Sequence, residues 1–254
     1  MSPIAVTDSH CHPDRFDDMT GVLGRAREAS VDVFFITLLP SDFQRYRERD
    51  FGPGVRLGLG FHPMASRGEF PWRSAIDIDR ELELFADLGP RAEWIGEIGL
   101  DFSPEGAPFR GVQERVLDTI LAVPGVTDKF LSIHSRFAPR ECVDALGAAG
   151  ATRVVMHGNG FTGDVDDARY VIDAGFHLSL VVSNFFDKRG RAIAEYVPPD
   201  RVLIETDGPF GTIDGRSAEP HEVGMSLQPL AEIWGKSQEE VAVQLDANLK
   251  ALIS

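Results

Sequence analysis

His10 and His12 stand at i and i+2 in IAVTDSHCHPD, directly after an apolar run. On an extended chain that spacing turns both imidazoles to one face, where two neutral nitrogens can meet one cation. Cys11 lies between them, and on a regular strand its thiol points the other way, as a small buried hydrophobe and not a ligand. Further apolar runs carry or end in His62, Glu97, His134, His157 and Asp207. Imidazole with carboxylate suits zinc, manganese or a related transition metal, while magnesium prefers more oxygen. The set accommodates two divalent ions, with His10, His12 and Asp207 at one and His134 with His157 at the other. Glu97 is placed to bridge them, giving one oxygen to each. The charge of two such ions outweighs both carboxylates and a bridging hydroxide, which leaves an anion-attracting centre and lowers the pKa of bound water.

The elements that must position these groups are strand-like runs at 4–10, 31–39, 55–62, 93–101, 130–135, 152–158, 176–182 and 201–208. Helix-like patterns at 77–88, 139–150 and 164–175 separate several of them. A long loop and two more helices follow, the second opening on Ser237 and Glu240 at capping-box spacing. Strand alternating with helix implies a mostly parallel sheet with right-handed crossovers. Eight strands predict closure into a (β/α)8 TIM barrel, an α/β fold. In a barrel the carboxyl ends of all strands surround one mouth, so chemical residues far apart in sequence become neighbours there.

Composition agrees with one barrel over residues 1–254, since 43% of the chain is hydrophobic and no Pro, Gly or Ser stretch reads as a linker. No apolar run is long enough to span a bilayer, and the start, from Met1 and Pro3 onward, lacks the basic leader of a signal peptide. Two cysteines, Cys11 and Cys142, are too few for a disulfide framework, which points to a cytoplasmic protein with reduced thiols. A net charge of −15 argues against a protein that wraps duplex DNA through many phosphate contacts. It leaves room for a phosphodiesterase whose positive potential is local to bound ions.

DSHCH (8–12), GFHP (60–63), GEIGLDF (96–102), IHSR (133–136), MHG followed by FTG (156–163) and ETDGPF (205–210) together resemble the ordered signature of the TatD family of metal-dependent hydrolases. The resemblance runs over practically the whole chain. It implies an amidohydrolase-like barrel with metal-dependent deoxyribonuclease activity, often exonucleolytic, and DNA as substrate. Motif by motif it implies His10, His12, Glu97 and Asp207 as ligands of one ion and Glu97, His134 and His157 as ligands of the other. His62 matches a histidine that contacts substrate phosphate. Departures lie at the rim, where HGNGFTG (157–163) is longer than the usual HCFSG and the loop 211–223 lacks the common RGxxNxP. ELELFADL (81–88), LSIHSR (131–136) and TDGPF (206–210) also resemble the TatD-like component of Qat-type anti-phage defence systems, which would add protein partners in a defence complex.

From this constellation, hydroxide on the ions would attack phosphorus while Asp207 orients it and accepts its proton, with Glu97 and His62 as the other catalytic groups. His62 and Arg136 would neutralise the phosphoryl oxygens. Arg67 and Arg73 flank Phe70 and Trp72 in MASRGEFPWR (64–73), a basic and aromatic interleaving suited to a single strand or frayed end. Asn159 and Asn184 fit either substrate contact or turn formation. His177 and His221 fall outside the metal set. The same activated water could attack a carbonyl carbon, so an amide or ester hydrolase, including an aminoacyl-ester deacylase, stays open beside the nuclease, as does a partner-dependent subunit of a complex.

Overall fold

A computed structural model describes residues 4–254; Met1 and Pro3, read above as a start without a leader, lie outside them. The chain alternates β1 (Val6–Cys11), α1 (Met19–Glu28), β2 (Val31–Ile36), α2 (Pro40–Tyr46), β3 (Val55–Leu59), α3 (Ile78–Leu88), β4 (Trp94–Asp101), α4 (Arg110–Leu121), β5 (Phe130–Arg136) and α5 (Pro139–Ala148). It continues through β6 (Val154–Met156), α6 (Val165–Asp173), β7 (His177–Val181), α7 (Lys188–Tyr196) and β8 (Val202–Glu205). A two-strand ribbon, β9 (Thr212–Ile213) and β10 (Arg216–Ser217), precedes α8 (Leu227–Trp234) and α9 (Gln238–Ile253).

Strands β1 to β8 pair in sequence order, and each ladder is parallel. The ring is completed by bonds just past the ladders. Asp207 N–H donates to His10 O at 2.9 Å and His12 N–H to Gly208 O at 2.8 Å. The Asp8 carboxylate adds a bond from Thr206 N–H at 3.0 Å and one from the Thr206 hydroxyl. This nearly closed (β/α)8 barrel is the expected TIM fold. Among the described residues no helix is long and apolar enough to cross a membrane.

Alternation along β2 shows how the strands divide their side chains. Phe35 turns outward to Tyr46 and Phe51, while Phe34 and Ile36 turn inward with Phe130, Val155 and Leu203. Leu249 and Leu252 of α9 join that inner cluster and close the amino-terminal end of the barrel. Helix α9 opens on the expected capping box, with Ser237 Oγ accepting from Glu240 N–H at 3.2 Å and Glu240 Oε2 from Ser237 N–H at 2.8 Å.

Several strands stop earlier than their apolar runs. The run 31–39 ends as a strand at Ile36 because Pro40 begins a helix, although Leu38 and Leu39 remain buried. In the same way β6 ends at Met156 and β8 at Glu205, so His157 and Asp207 stand on the loops. His62 lies three residues beyond β3 and caps a short 3-10 turn, not the strand end expected for it.

Candidate functional site

The carboxyl ends of the strands carry one buried cluster of imidazoles and carboxylates. His10 comes from β1, Glu97 from the middle of β4 and His134 from β5, with His12, His157 and Asp207 just past their strands. His10 Nε2 and His12 Nε2 lie 3.1 Å apart. Glu97 Oε2 is 3.5 Å from the first and 3.4 Å from the second, and Asp207 Oδ1 is 3.7 and 3.2 Å from them. A tetrahedral ion with ligands 2.0–2.1 Å away holds them about 3.3 Å apart. These four atoms therefore have the spacing of a metal-ligand shell. Asp207 Oδ1 is buried without a hydrogen-bond donor, whereas Oδ2 accepts from Asn159 Nδ2 at 2.6 Å.

The other Glu97 oxygen faces the second half. Oε1 is 2.6 Å from His134 Nδ1 and 2.7 Å from His157 Nε2, and those two nitrogens are 3.3 Å apart. One carboxylate thus divides its oxygens between two sets of imidazoles. His157 stacks on His10 at 4.2 Å and lies close enough to His10 and Asp207 to reach the first set too. Gly160 passes over this half so closely that a side chain would meet His157 Nε2 at 2.2 Å and His134 Nδ1 at 2.9 Å. Only glycine fits there.

Each inward nitrogen is set by what holds the opposite edge of its ring. His12 Nδ1–H donates to Ile36 O at 2.8 Å, which leaves the Nε2 lone pair facing the cluster in the neutral ring. Nε2 of His134 donates to Asp101 Oδ2 at 2.9 Å and Nδ1 of His157 to Glu205 Oε1 at 3.3 Å, again turning lone pairs inward. His10 Nδ1 pairs with Ser132 Oγ at 2.7 Å. His62 is turned the other way and aims a hydrogen, not a lone pair, at the cluster. Its Nδ1 accepts from Met64 N–H at 3.1 Å, so Nε2 carries the hydrogen and points it at Glu97 Oε1, 3.4 Å away.

Charge within the cluster follows from burial and these pairings. Burial alone would lower His12, but the facing carboxylates of Asp207 and Glu97 prevail and raise it to about 10. Burial opposes a charge on Glu97 as well, yet the facing histidines hold it well below the usual carboxylate range. Burial dominates at His10, which is lowered, and at His62, which falls to about 3. Burial thus favours the neutral His62 ring, which presents Nε2–H as a hydrogen-bond donor. Two buried carboxylates draw positive charge into this pocket, as protons or as metal ions, and the donor set fits divalent cations.

Above the cluster is a cleft of about 620 Å³. His62, Arg67, Trp72 and Arg136 all line it. Arg73 does not. Its guanidinium bonds Ser41 Oγ at 2.9 Å and Glu81 Oε1 at 3.1 Å, so its reading as a substrate-binding group is withdrawn. Asn159 serves Asp207, and Asn184 Oδ1 accepts from Val181 N–H in a turn. Phe210 was missed: its ring stacks on Trp72 at 5.9 Å, Trp72 stacks on Phe70 at 5.2 Å, and Phe210 also meets the edge of His12 at 5.2 Å. Asp8, Asp101, Ser132 and Glu205, which hold the histidines and the loop that carries Asp207, were missed too. Their signal is even spacing: Asp8 precedes His10 by two residues, Glu205 precedes Asp207 by two, and Asp101 follows Glu97 by four.

Comparison with known proteins gives this centre its relatives. The chain is 28% identical over 250 residues to human "Deoxyribonuclease TATDN3", covering 94% of this chain and 90% of that protein. It is 33% identical over 263 residues to the "Uncharacterized metal-dependent hydrolase TatD" of Mycobacterium tuberculosis, covering 96% of each. Among solved structures, the TatD homologue YJJV of Escherichia coli superposes with a TM-score of 0.83 at 24% identity, over 97% of both chains. The family described as "TatD related DNase" matches residues 7–254, and with a metal-ligand cluster at the mouth of its barrel this chain belongs to that family of metal-dependent hydrolases.

Proposed function

We propose that the protein is a metal-dependent deoxyribonuclease that cuts single strands or frayed ends from a terminus. The observation that carries this reading is the shape of the cleft. A cation-drawing cluster lies at its base, Arg67 and Arg136 stand on its walls, and the Phe70, Trp72 and Phe210 rings form one side. Single-stranded nucleic acid is held by this combination of basic groups on the backbone and aromatic faces on the bases. A relative named as a deoxyribonuclease supports the same substrate class.

His10, His12, Glu97 and Asp207 would hold one divalent ion and Glu97, His134 and His157 the other. When bound, the ions supply Lewis acidity at the phosphoryl group and lower the pKa of the attacking water. The residues of the chain do the rest. Asp207, with Oδ2 tied to Asn159, would combine ligation through Oδ1 with orienting water and taking its proton. His62 offers Nε2–H to a phosphoryl oxygen, and its neutrality makes this a directional hydrogen bond. Arg136, exposed at the end of β5, supplies the charge that His62 does not.

The test is a parallel digestion of end-labelled single-stranded, duplex and frayed DNA, RNA and an aminoacyl ester by protein loaded with zinc, manganese or magnesium. Labelled products should shorten stepwise from one end of single-stranded DNA. Glu97→Gln should lower kcat/KM by at least about a thousandfold, the scale of a lost transition-state interaction of roughly 4 kcal/mol. Rapid turnover of the ester with intact nucleic acids would overturn the reading. The resemblance to an anti-phage defence component is tested separately, by counting plaques on cells that express the parent or Glu97→Gln protein; equal counts would remove that role.

A further inference from the structure

Phe137 follows Arg136 at the end of β5, and its backbone is left-handed, with φ of 55°. Such a conformation is costly for a side chain with a Cβ and suits glycine, asparagine or aspartate. Among the described residues the other non-glycine positions with positive φ are Ser30, Ala75, Asp207 and Asp214, all small or acidic. Phe137 is the bulky one. Burial does not compensate it, because the residue is 57% exposed. The conformation is held from outside, by Thr162 Oγ1 accepting from Phe137 N–H at 2.7 Å and by Ser135 O accepting from Ala138 N–H at 3.1 Å. A strained residue that its surroundings enforce is where function is to be sought.

The ring stands at the edge of the catalytic cleft. Arg136 and Thr162, its covalent neighbour and its hydrogen-bond partner, both line that cleft, and the Arg136 guanidinium lies 5.9 Å from the ring centre. The stacked Phe70, Trp72 and Phe210 rings come from the loops after β3 and β8, whereas Phe137 follows β5. An aromatic face beside a cation on a cleft wall suits a base with its phosphate. An isolated exposed ring flanked by arginine is too small to be a protein docking face.

We propose that Phe137 is a base-stacking platform for a nucleotide just outside the cleft, next to the phosphate that Arg136 pairs. This rests on the nuclease reading and deepens it. It makes Phe137 a specificity-determining residue, one that favours an extended strand over a minimal phosphodiester.

The experiment compares kcat/KM on a short single-stranded DNA oligonucleotide with kcat/KM on bis(p-nitrophenyl) phosphate, in parent and Phe137→Asn proteins. Asparagine accepts the left-handed backbone, so the variant should melt no lower than the parent. The ratio of oligonucleotide to small-diester turnover should fall on the order of tenfold, as loss of one base–aromatic stack predicts. A second measurement does not need turnover. Metal-free protein is titrated into the same oligonucleotide carrying 2-aminopurine along its length, and quenching should be seen with the parent and reduced with Phe137→Asn. An unchanged ratio and unchanged quenching, with the parent cutting DNA, would overturn the platform alone. If the parent cuts neither the oligonucleotide nor the small diester, the nuclease reading falls and takes the platform with it.

Discussion

At the carboxyl end of the barrel, His10, His12, Glu97, His157 and Asp207 are all at most 3% exposed, and their polar atoms converge on one another. At the amino end, Phe34, Ile36, Phe130, Val155 and Leu203 are equally buried, and the leucines of α9 close over them. The first region spends burial on groups that water would solvate better, and Asp207 Oδ1 is left without a donor. The second removes apolar surface from water, with the buried His177 as its polar exception. One barrel thus separates the end that carries chemistry from the end that carries stability. Changes at the amino end should cost folding and spare catalysis; changes at the carboxyl end should do the reverse.

The largest expected effect breaks the comparison from the stable side. Leu249→Ala opens a cavity among Phe34, Phe130 and Leu203, and truncation of a buried leucine costs about 2–5 kcal/mol. Urea unfolding should show that loss, while kcat of the folded fraction and the metal stoichiometry stay at parent values. A fall in kcat without a fall in stability would show that the two ends are not separate.

The next effect lies within the carboxyl end, where the two halves of the cluster differ in what backs their histidines. His134 and His157 donate to the carboxylates of Asp101 and Glu205, whereas His10 and His12 rest on the neutral Ser132 hydroxyl and Ile36 carbonyl. A carboxylate behind the ring makes imidazole a stronger ligand. Burial opposes the charge of Asp101, but the bond from His134 keeps its pKa at about 2, so the charge is present at neutral pH. Asp101→Asn should weaken metal binding about 10- to 100-fold, roughly 1.4–2.8 kcal/mol, by calorimetric titration of the metal-free protein. Ser132→Ala should cost clearly less. Equal losses would mean that the backing group does not distinguish the halves.

Much of this arrangement was legible in sequence, for a physical reason. Imidazoles and carboxylates placed on alternating or terminal positions of successive parallel strands must meet at one mouth, so six candidate ligands could be brought together without coordinates. The ends of strands were not legible, since Leu38 and Leu39 are as apolar as the strand before them and are buried in a turn. Arg73 looked free beside Trp72 because its partners, Ser41 and Glu81, are set by the packing of α2 on α3 and not by neighbours in the chain. Phe210 came from a motif read only for Asp207. Phe137 carries no signal in composition at all; its strain is visible only as a backbone angle.

The smallest effect tests the polar exception at the stable end. His177 begins β7 away from the mouth, and its Nδ1 is buried without a partner. Burial, aided by the charge of Arg201 and opposed by Asp200, lowers its pKa from 6.5 to about 4. Between those values the unfolded chain takes up a proton that the folded chain refuses. Stability supplied by the neutral ring is therefore present above about pH 6.5 and is lost as pH falls toward 4, at no more than about 1.4 kcal/mol per pH unit. The histidines at the mouth titrate in parent and variant alike and cancel in the difference between them. His177→Gln has no such proton to take up. Its urea-unfolding free energy should fall less than the parent's between pH 6.5 and 4.5, a window inside the shift from 6.5 to about 4. Parallel curves for the two proteins would place the acid sensitivity of the fold wholly in the cluster at the mouth, leaving the amino-terminal end insensitive to pH.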